Sequence, residues 1–464
     1  MENKNPYILT FILKQHTPLI HFQHDQAGAT LRATEVKPKL DRFLLSKYRN
    51  GIDKKWYVGA GTSGERKDAL AFQFSIRPKS GLFWTSYIER PKFDEYERFK
   101  RKKDGNGTET NSYPSFFGNM GKFYEEVDTI KKFIFHPDGL EVTINSFHTG
   151  LISFIKSHLA EFFATYNFGT RQTKGFGSFY LQDLNEFPLK SADWCDYKIE
   201  IPFPAIQKFG KNATGLDYDK MFSAAGFFQK LDWFYRCLRG GINLKTSTGA
   251  DRFYFKSLLF LYFKSLGVQW EKKTIKEQFY STDWKKIFPD GSSKTFIGLT
   301  TQQSKRSASE ALSYSNSNKK LVKDLFGLSS EEAWLSYQSD TITKAHKKSK
   351  FTSGEGKEIS RFASPIIFKP IELNPGTMTV FIRFEETGLK QMLGETFNIS
   401  SKRKSTSISP PLEIPKSFSL DGFFKFLTNP ANFNISTHVD SKFHNEDEYK
   451  SLAIIFHSLT RLKP

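Results

Sequence analysis

The spacing of apolar residues between Leu151 and Tyr166 constrains the fold of this chain most. Apolar residues recur there with a period of about 3.6 residues, which predicts an amphipathic helix. They stand at positions 151, 154, 155, 159, 162, 163 and 166. The helix should end before Gly169, where the glycine-rich segment GTRQTKGFG begins. The residues that follow, SFYLQDL, have the aromatic character of a strand.

The segments before this helix complete an order of elements. Residues 7–20 mix β-branched and aromatic residues and predict a strand. Residues 37–48 have apolar residues at helical spacing and predict a helix that starts at Pro38. Residues 69–77 and 131–144 predict two strands, the second folded at a His-Pro-Asp-Gly turn. The first half therefore predicts the β-α-β-β-α-β order of a ferredoxin-like unit.

The second half begins with a similar arrangement. Residues 197–206 predict a strand, and residues 222–238 predict a helix with aromatic residues on nearly every face, which is typical of burial. The sequences KLDRF at 39–43 and KLDWF at 230–234 each lie on a helix that follows a strand and a loop. This partial repeat indicates two copies of one unit. We therefore predict an α+β chain of tandem ferredoxin-like domains.

Length and charge agree with two large domains that bind an anion. The chain has 464 residues, 68 Lys+Arg and 49 Asp+Glu, and a formal net charge of +19. We predict a first domain at residues 1–193, which holds the glycine-rich segment, and a more divergent second domain at 194–464. Basic insertions predict mobile loops that are either solvated surface or contacts to a polyanion. They lie at residues 98–111, 304–320, 344–358 and 399–411.

Several classes of protein are excluded. Cys195 and Cys237 cannot build a disulfide framework, so we expect a reducing, cytoplasmic location. The longest apolar stretch is interrupted by Lys256 and Lys264 and is too short to span a membrane. No nucleotide fingerprint is present, so we expect no cofactor. A His-x-x-His pair in the loop after the first strand has no third and fourth ligand, so we expect no metal.

The segment from Phe168 to Ser178 carries the most specific chemical signal. Three glycines would expose backbone N–H groups, and Arg171 and Lys174 add positive charge, which predicts a cradle for phosphate. The alternative is a helix-to-strand turn that uses glycine only for positive φ. The two basic side chains favour phosphate binding.

These residues also resemble a known family. GTRQTKGFGSF is similar to the glycine-rich signature of the RAMP superfamily of CRISPR-associated RNA-binding proteins, and ATEVKPKLDRFL to the start of its first helix. LDWFYRCLRGG, LFGL and SRFASPIIFKPI resemble the two-domain first subunit of the type III-B (Cmr) effector complex. The chain departs from the family at Pro38, where Gly is common, and at Asp41 and Asp232, where Arg is frequent.

The resemblance implies a subunit of an antiviral ribonucleoprotein that binds guide or target RNA without cutting it. Its partners would be RNA and other RAMP-family subunits, with no membrane contact. Basic residues near the matching segments extend the predicted site. The predicted RNA-binding residues are Gly169, Thr170, Arg171, Gln172, Thr173, Lys174, Gly175, Phe176, Gly177, Arg32, Lys37, Arg239 and Arg361.

Two alternatives remain open. His21, His24 and Asp25 crowd the loop after the first strand, with His16 nearby, and a histidine can act as general base on a ribose 2′-OH. The chain would then be a metal-independent CRISPR-associated endoribonuclease. The second alternative is a structural subunit that contacts only other proteins.

Overall fold

The computed structural model describes fourteen stretches of the chain. They are residues 5–20, 30–60, 68–81, 83–87, 132–183, 191–202, 218–246, 251–280, 284–287, 293–296, 318–334, 340–347, 359 and 361–463. Contacts divide the chain into two compact units. Unit 1 comprises Met1–Asp232, Ile367–Arg383 and Ser458–Pro464, and unit 2 comprises Trp233–Ile366 and Phe384–His457. The units are thus not two consecutive halves of the sequence, and the predicted boundary at residue 193 stays a prediction.

Helices and strands both occur throughout the described residues. The elements up to Leu181 are β1 (Ile8–Gln15), α1 (Ala33–Lys47), β2 (Gln73–Pro78), β3 (Trp84–Tyr87), β4 (Lys132–Phe135), β5 (Leu140–Asn145), α2 (Thr149–Thr165) and β6 (Phe179–Leu181). The later elements are β7 (Tyr197–Pro202), α3 (Tyr218–Arg239), β8 (Ile242–Lys245), β9 (Asp251–Phe255), α4 (Leu258–Ser265), β10 (Gln269–Trp270), α5 (Glu271–Tyr280), β11 (Trp284–Ile287), β12 (Ser293–Phe296), β13 (Lys319–Lys320), β14 (Leu328–Ser329), β15 (Glu331–Trp334), β16 (Asp340–His346), β17 (Arg361–Phe362), β18 (Ile366–Asn374), β19 (Thr377–Phe384), α6 (Glu386–Met392), β20 (Thr396–Ser401), β21 (Thr406–Ser407), β22 (Leu412–Glu413), α7 (Leu420–Thr428), α8 (Ile435–His438), α9 (Asp447–Ser458) and β23 (Thr460–Arg461). The prediction of a mixed α and β chain is confirmed.

The first sheet of unit 1 has the strand order β2-β5-β1-β6, with each neighbour antiparallel. Buried residues alternate along β1 because one face of the sheet lies on the core. Phe11 of β1 packs against Phe163 of α2, with ring centroids 6.1 Å apart, and Phe43 of α1 packs against Phe162 at 5.6 Å. Both helices therefore cover the same sheet face, in the chain order strand, helix, strand, strand, helix, strand. The antiparallel pair of β3 and β4 lies between β2 and β5 in the chain.

Helix α1 begins earlier than the sequence predicts. It starts at Ala33, and Pro38 lies inside it rather than at its first position. Proline lacks the N–H that would bond to the carbonyl of Thr34, one turn before it. Both residues are exposed, so water can satisfy that carbonyl and the helix can continue through the proline.

The second sheet of unit 1 has the order β18-β19-β7-β23. Ile199 of β7 pairs with Val380 of β19, and Tyr197 pairs with Arg461 of β23. Helix α3 follows β7 in the chain and spans the division between the units. Its rings are buried, as predicted from their distribution around the helix. They are Phe227, Phe228, Trp233, Phe234 and Tyr235.

Unit 2 contains a larger sheet in the order β10-β13-β22-β20-β16-β15, with β21 paired to β20. A buried ion pair lies in this unit, where Lys344 Nζ is 2.7 Å from both carboxylate oxygens of Asp324. The carboxylate of Glu271 accepts hydrogen bonds from the backbone N–H groups of Val322 and Lys323. Burial, with the neighbouring Asp324, raises the pKa of Glu271 to about 7.

One predicted basic loop is instead an ordered hairpin. Residues 399–411 include the end of β20 and all of β21, which pair through Ser400 with Ser407 and Ser401 with Thr406. Serine and threonine on both strands allow this pairing in a polar segment. The predicted insertion at 98–111 and most of those at 304–320 and 344–358 lie outside the described residues.

Candidate nucleic-acid interface

The glycine-rich loop, residues 168–178, joins α2 to β6 along a tight path. Gly177 and Gly169 have φ values of +63° and +74°. A Cβ on Gly177 would lie 2.0 Å from the carbonyl oxygen of Phe168, and one on Gly169 would lie 2.6 Å from that of Ile20. Side chains cannot occupy so little space, so only glycine fits these two positions. The path of the backbone therefore requires glycine at these positions.

Most backbone N–H groups of the loop donate hydrogen bonds inside the protein. These donors and acceptors are Phe168 to Gly177 O (3.0 Å), Gly169 to Glu35 Oε1 (2.8 Å), Thr170 to Ile20 O (3.0 Å), Lys174 to Arg171 O (2.9 Å), Gly175 to Gln172 O (3.2 Å), Gly177 to Pro18 O (2.8 Å) and Ser178 to Thr17 Oγ1 (2.9 Å). The expectation that the glycine N–H groups face a ligand is wrong, because each bonds internally. Within the described part of the chain, the N–H groups of Gln172 and Thr173 have no acceptor.

Burial limits which part of the loop a ligand can reach. Gly169, Gly175 and Gly177 are buried. The Phe176 ring is also buried and stacks on Phe228, with centroids 3.7 Å apart and an interplanar angle of 3°. Residues 170–174 are half-buried. These five residues, which we call the loop tip, are the surface that the glycine-rich loop presents.

Helix α1 holds the loop tip from one side. Lys39 Nζ donates to Gln172 Oε1 at 3.0 Å and to Glu35 Oε1 at 3.0 Å. Gln172 Nε2 in turn donates to the carbonyl of Gly169 at 2.7 Å. The same Glu35 oxygen accepts from Gly169 N–H. This closed set of bonds fixes the side chain of Gln172 and the start of the loop.

Strand β18 of the second sheet forms hydrogen bonds with the loop and with the residues that flank it. Asn167 Nδ2 donates to the carbonyls of Phe368 and Gln172, both at 2.7 Å, and Ser178 Oγ donates to Pro370 O at 2.7 Å. Lys369 Nζ donates to the carbonyls of Tyr166 and Phe179 at 2.9 Å and 2.8 Å. Because these groups are buried, the bonds exchange little with water and the loop is rigid at both ends.

Two basic residues lie on the loop tip. Arg171 has a left-handed backbone (φ +59°), and Lys174 ends the short 3₁₀ turn Gln172–Lys174. Burial lowers the pKa of Arg171, and the nearby Asp232 opposes this shift, so the guanidinium stays charged at neutral pH. The turn therefore brings two cations and two unbonded N–H groups within five residues, an arrangement that suits an anionic oxygen.

The predicted residues of helix α1 have different roles. Arg32 is the exposed N-cap residue, one helical turn before Glu35, whose carboxylate accepts the N–H of Gly169. Lys37 points elsewhere. Its Nζ donates to Asp41 Oδ2 at 2.8 Å and to Leu70 O at 3.1 Å and lies 4.2 Å from the centroid of the Phe72 ring. Lys37 thus stabilises the contact between α1 and the segment before β2.

The predicted residues Arg239 and Arg361 belong to unit 2. Arg239 Nη2 donates to Gly327 O at 2.5 Å, and Nε donates to Lys323 O at 3.4 Å. This guanidinium satisfies carbonyls at both ends of the 3₁₀ turn Lys323–Phe326, a structural role. Arg361 is exposed on β17 and pairs through its backbone with Ser329.

The candidate catalytic residues divide into two groups. His21, His24 and Asp25 lie outside the described residues. His16 is described and buried, and its Nδ1 accepts a hydrogen bond from Glu372 N–H at 3.1 Å. Burial, with the charges of Lys14 and Lys369, lowers the pKa of His16 well below its usual value. His16 is therefore neutral and out of reach of a substrate.

Two further findings concern metals and membranes. Among the described residues, no group of three or more His, Cys, Asp or Glu side chains could hold a metal ion. No helix in the described part of the chain has the length and apolar character needed to cross a membrane.

Sequence reasoning missed the residues that hold the loop. Lys369 stands in the apolar run IIFKPI, where a lysine is normally assigned to the surface. An interrupted apolar strand was the available signal. Glu35 and Asn167 gave none, because the bonds from Gly169 N–H to Glu35 and from Asn167 to Phe368 O join residues more than a hundred positions apart in the chain.

Two family models match the chain and together cover nearly all of it. The model described as the Cmr1 N-terminal domain matches residues 6–242. The model described as the Cmr1 C-terminal domain matches residues 254–451. No curated protein matches the chain significantly.

Proposed function

Since the chain belongs to the Cmr1 family, subunits of the multi-protein type III-B CRISPR effector complex, we propose that it binds the backbone of guide or target RNA without cutting it. The contact is made by the loop tip, residues 170–174, together with Arg32. The observation that carries the proposal is the pair of unbonded N–H groups, at Gln172 and Thr173, between Arg171 and Lys174.

The rigidity of the loop tip makes this small surface suitable for binding phosphate. Phosphate oxygens accept hydrogen bonds from N–H groups and charged side chains, and such bonds are stronger when the donors are fixed in place. The bonds from Lys39, Asn167 and Ser178 fix the loop before any ligand arrives. Binding then costs little conformational entropy. The contact carries no base specificity, because it reaches only the phosphate.

The tandem ferredoxin-like architecture is part of this proposal. In each of the two four-stranded sheets of unit 1, the strands numbered along the chain lie in the order second, third, first, fourth. In the second set, α3 follows the first strand and α9 precedes the last. This agreement supports two copies of one β-α-β-β-α-β unit. The glycine-rich loop of the first copy then packs on a strand of the second copy.

The test is RNA binding by the full chain with Lys174→Glu, alone and together with Arg171→Glu. We expect affinity for a labelled single-stranded RNA to fall about tenfold or more, because each change removes a charge-assisted contact and adds repulsion. The matched control is Lys54→Glu with Lys55→Glu, two exposed residues of unit 1. Its affinity should change much less.

Folding and cleavage are measured on the same samples. The melting temperature of Lys174→Glu should stay close to that of the parent, because the loop tip is on the surface. Unchanged RNA affinity in a folded variant would refute binding at the loop tip. The RNA should also be recovered intact after incubation in chelator. Cleavage by the parent that His21→Ala or His24→Ala abolishes would instead establish the endoribonuclease.

A further inference from the structure

The hairpin formed by β20, residues 402–405 and β21, here called the basic hairpin, has an unusually constrained turn. Three consecutive basic residues occupy it, and the backbone N–H of each is bonded. Lys402 donates to Thr341 O at 3.0 Å, Arg403 to Asp340 Oδ1 at 3.1 Å, and Lys404 to Ser401 Oγ at 3.0 Å. The three side chains therefore leave the backbone from fixed points.

A buried carboxylate anchors this turn. Asp340 is 3% exposed and accepts hydrogen bonds from Tyr280 Oη at 2.6 Å and Ser401 Oγ at 2.5 Å, besides Arg403 N–H. Burial alone would raise the pKa of Asp340, but these hydrogen bonds outweigh it and the pKa is lowered. The anchor is thus a charged group whose bonds are charge-assisted and strong.

The turn also stores strain and presents its charges outward. Ser405 has φ +51°, a left-handed conformation that costs a residue other than glycine about 1–3 kcal/mol. Lys402, Arg403 and Lys404 are exposed. Lys402 Nζ lies 2.7 Å from Glu331 Oε1, whereas Arg403 and Lys404 form no ion pair with any described residue. A strained turn that fixes two uncompensated cations in solvent indicates a binding role.

We propose that the basic hairpin binds the phosphodiester backbone of single-stranded RNA, a second contact, on unit 2, that extends the proposed function and rests on it. The sequence of residues 402–407, KRKSTS, has no apolar side chain. An interface with a protein has an apolar centre, which this turn cannot supply. Arginine, lysine, serine and threonine are the side chains that contact phosphate oxygens, and a guanidinium binds two of them at once.

The experiment measures binding of a short fluorescein-labelled single-stranded RNA to the full chain by fluorescence anisotropy at several salt concentrations. The variant is Arg403→Gln with Lys404→Gln, and the matched control is Lys442→Gln with Lys450→Gln, two exposed lysines of the same unit. We expect the variant to bind about tenfold more weakly. The slope of log affinity against log salt should become shallower by roughly 1.4, the value for two phosphates of a single strand.

The outcomes separate this inference from the proposed function. A variant that matches the control in affinity and slope, while the parent binds RNA, overturns the hairpin site alone. A parent that does not bind RNA at low salt overturns both. The melting temperature should be unchanged in both double variants, because all four side chains are exposed. The variant Asp340→Asn provides a further test. It keeps both cations but loosens the turn, so we expect it to weaken RNA binding.

Discussion

The surroundings of His16 prevent this residue, which lies in a polar segment, from acting as a general base. The ring is 1% exposed, Nδ1 accepts from the backbone of Glu372, and Lys14 and Lys369 contribute positive charge. Protonation would place a further charge in this buried position. The folded protein therefore keeps the imidazole neutral at acidic pH values where the unfolded chain protonates it.

The pH dependence of stability follows from this difference. Because the folded pKa of His16 is below the unfolded one, its contribution is fully present above the unfolded pKa and is lost as pH falls towards the folded pKa. We expect the melting temperature of the parent to fall more steeply between about pH 7 and about pH 5 than that of His16→Asn. The asparagine Oδ1 can still accept from Glu372 N–H. Parallel curves for the two proteins would contradict this account.

At the scale of elements, the path of the glycine-rich loop leads to a prediction about stability. Gly177→Ala should cost at least about 2 kcal/mol, because the left-handed backbone is unfavourable and the new Cβ would meet the Phe168 carbonyl. Gly267→Ala is the control. Gly267 has φ +71° but nothing within 4 Å of the added Cβ, so it should cost only about 1 kcal/mol. Urea unfolding measures both, and equal costs would show that the close approach is unimportant.

The elements differ in how far sequence reveals them. Helix α2 and strand β1 follow from residue spacing, because one apolar face must be buried and the period shows which face it is. The glycine-rich loop is also evident from the sequence, but the internal hydrogen bonds of its backbone N–H groups are not. The acceptors come from Pro18, Ile20 and Glu35, which only the folded chain brings to the loop.

The same limit applies to single charged residues. Arg239 and Lys37 have the sequence context of phosphate ligands, yet their side chains satisfy backbone carbonyls of the protein itself. Sequence shows that a cation is near a glycine or a turn. It does not show whether that cation donates its hydrogen bonds to a backbone carbonyl of the folded protein.

At the scale of the whole molecule, the net charge of +19 predicts how RNA binding responds to salt. If about five phosphates of a single strand are neutralised, log affinity should fall with log salt at a slope of roughly −3.5. Titration of a labelled RNA at increasing salt measures this slope. A slope near zero would exclude electrostatic binding to the backbone, and with it the proposed function.

The pairing of β7 with β23 has a consequence for synthesis of the protein. Lys198 and Thr460 are neighbours in the sheet, but about 260 residues separate them along the chain. A ribosome adding about 5 to 20 residues per second needs roughly 10 to 50 seconds to travel that distance. Until β19 has been made, β7 lacks both of its neighbours, and until β23 follows it keeps an open edge that other nascent chains can join. Chaperone occupancy during translation should therefore be highest over this interval.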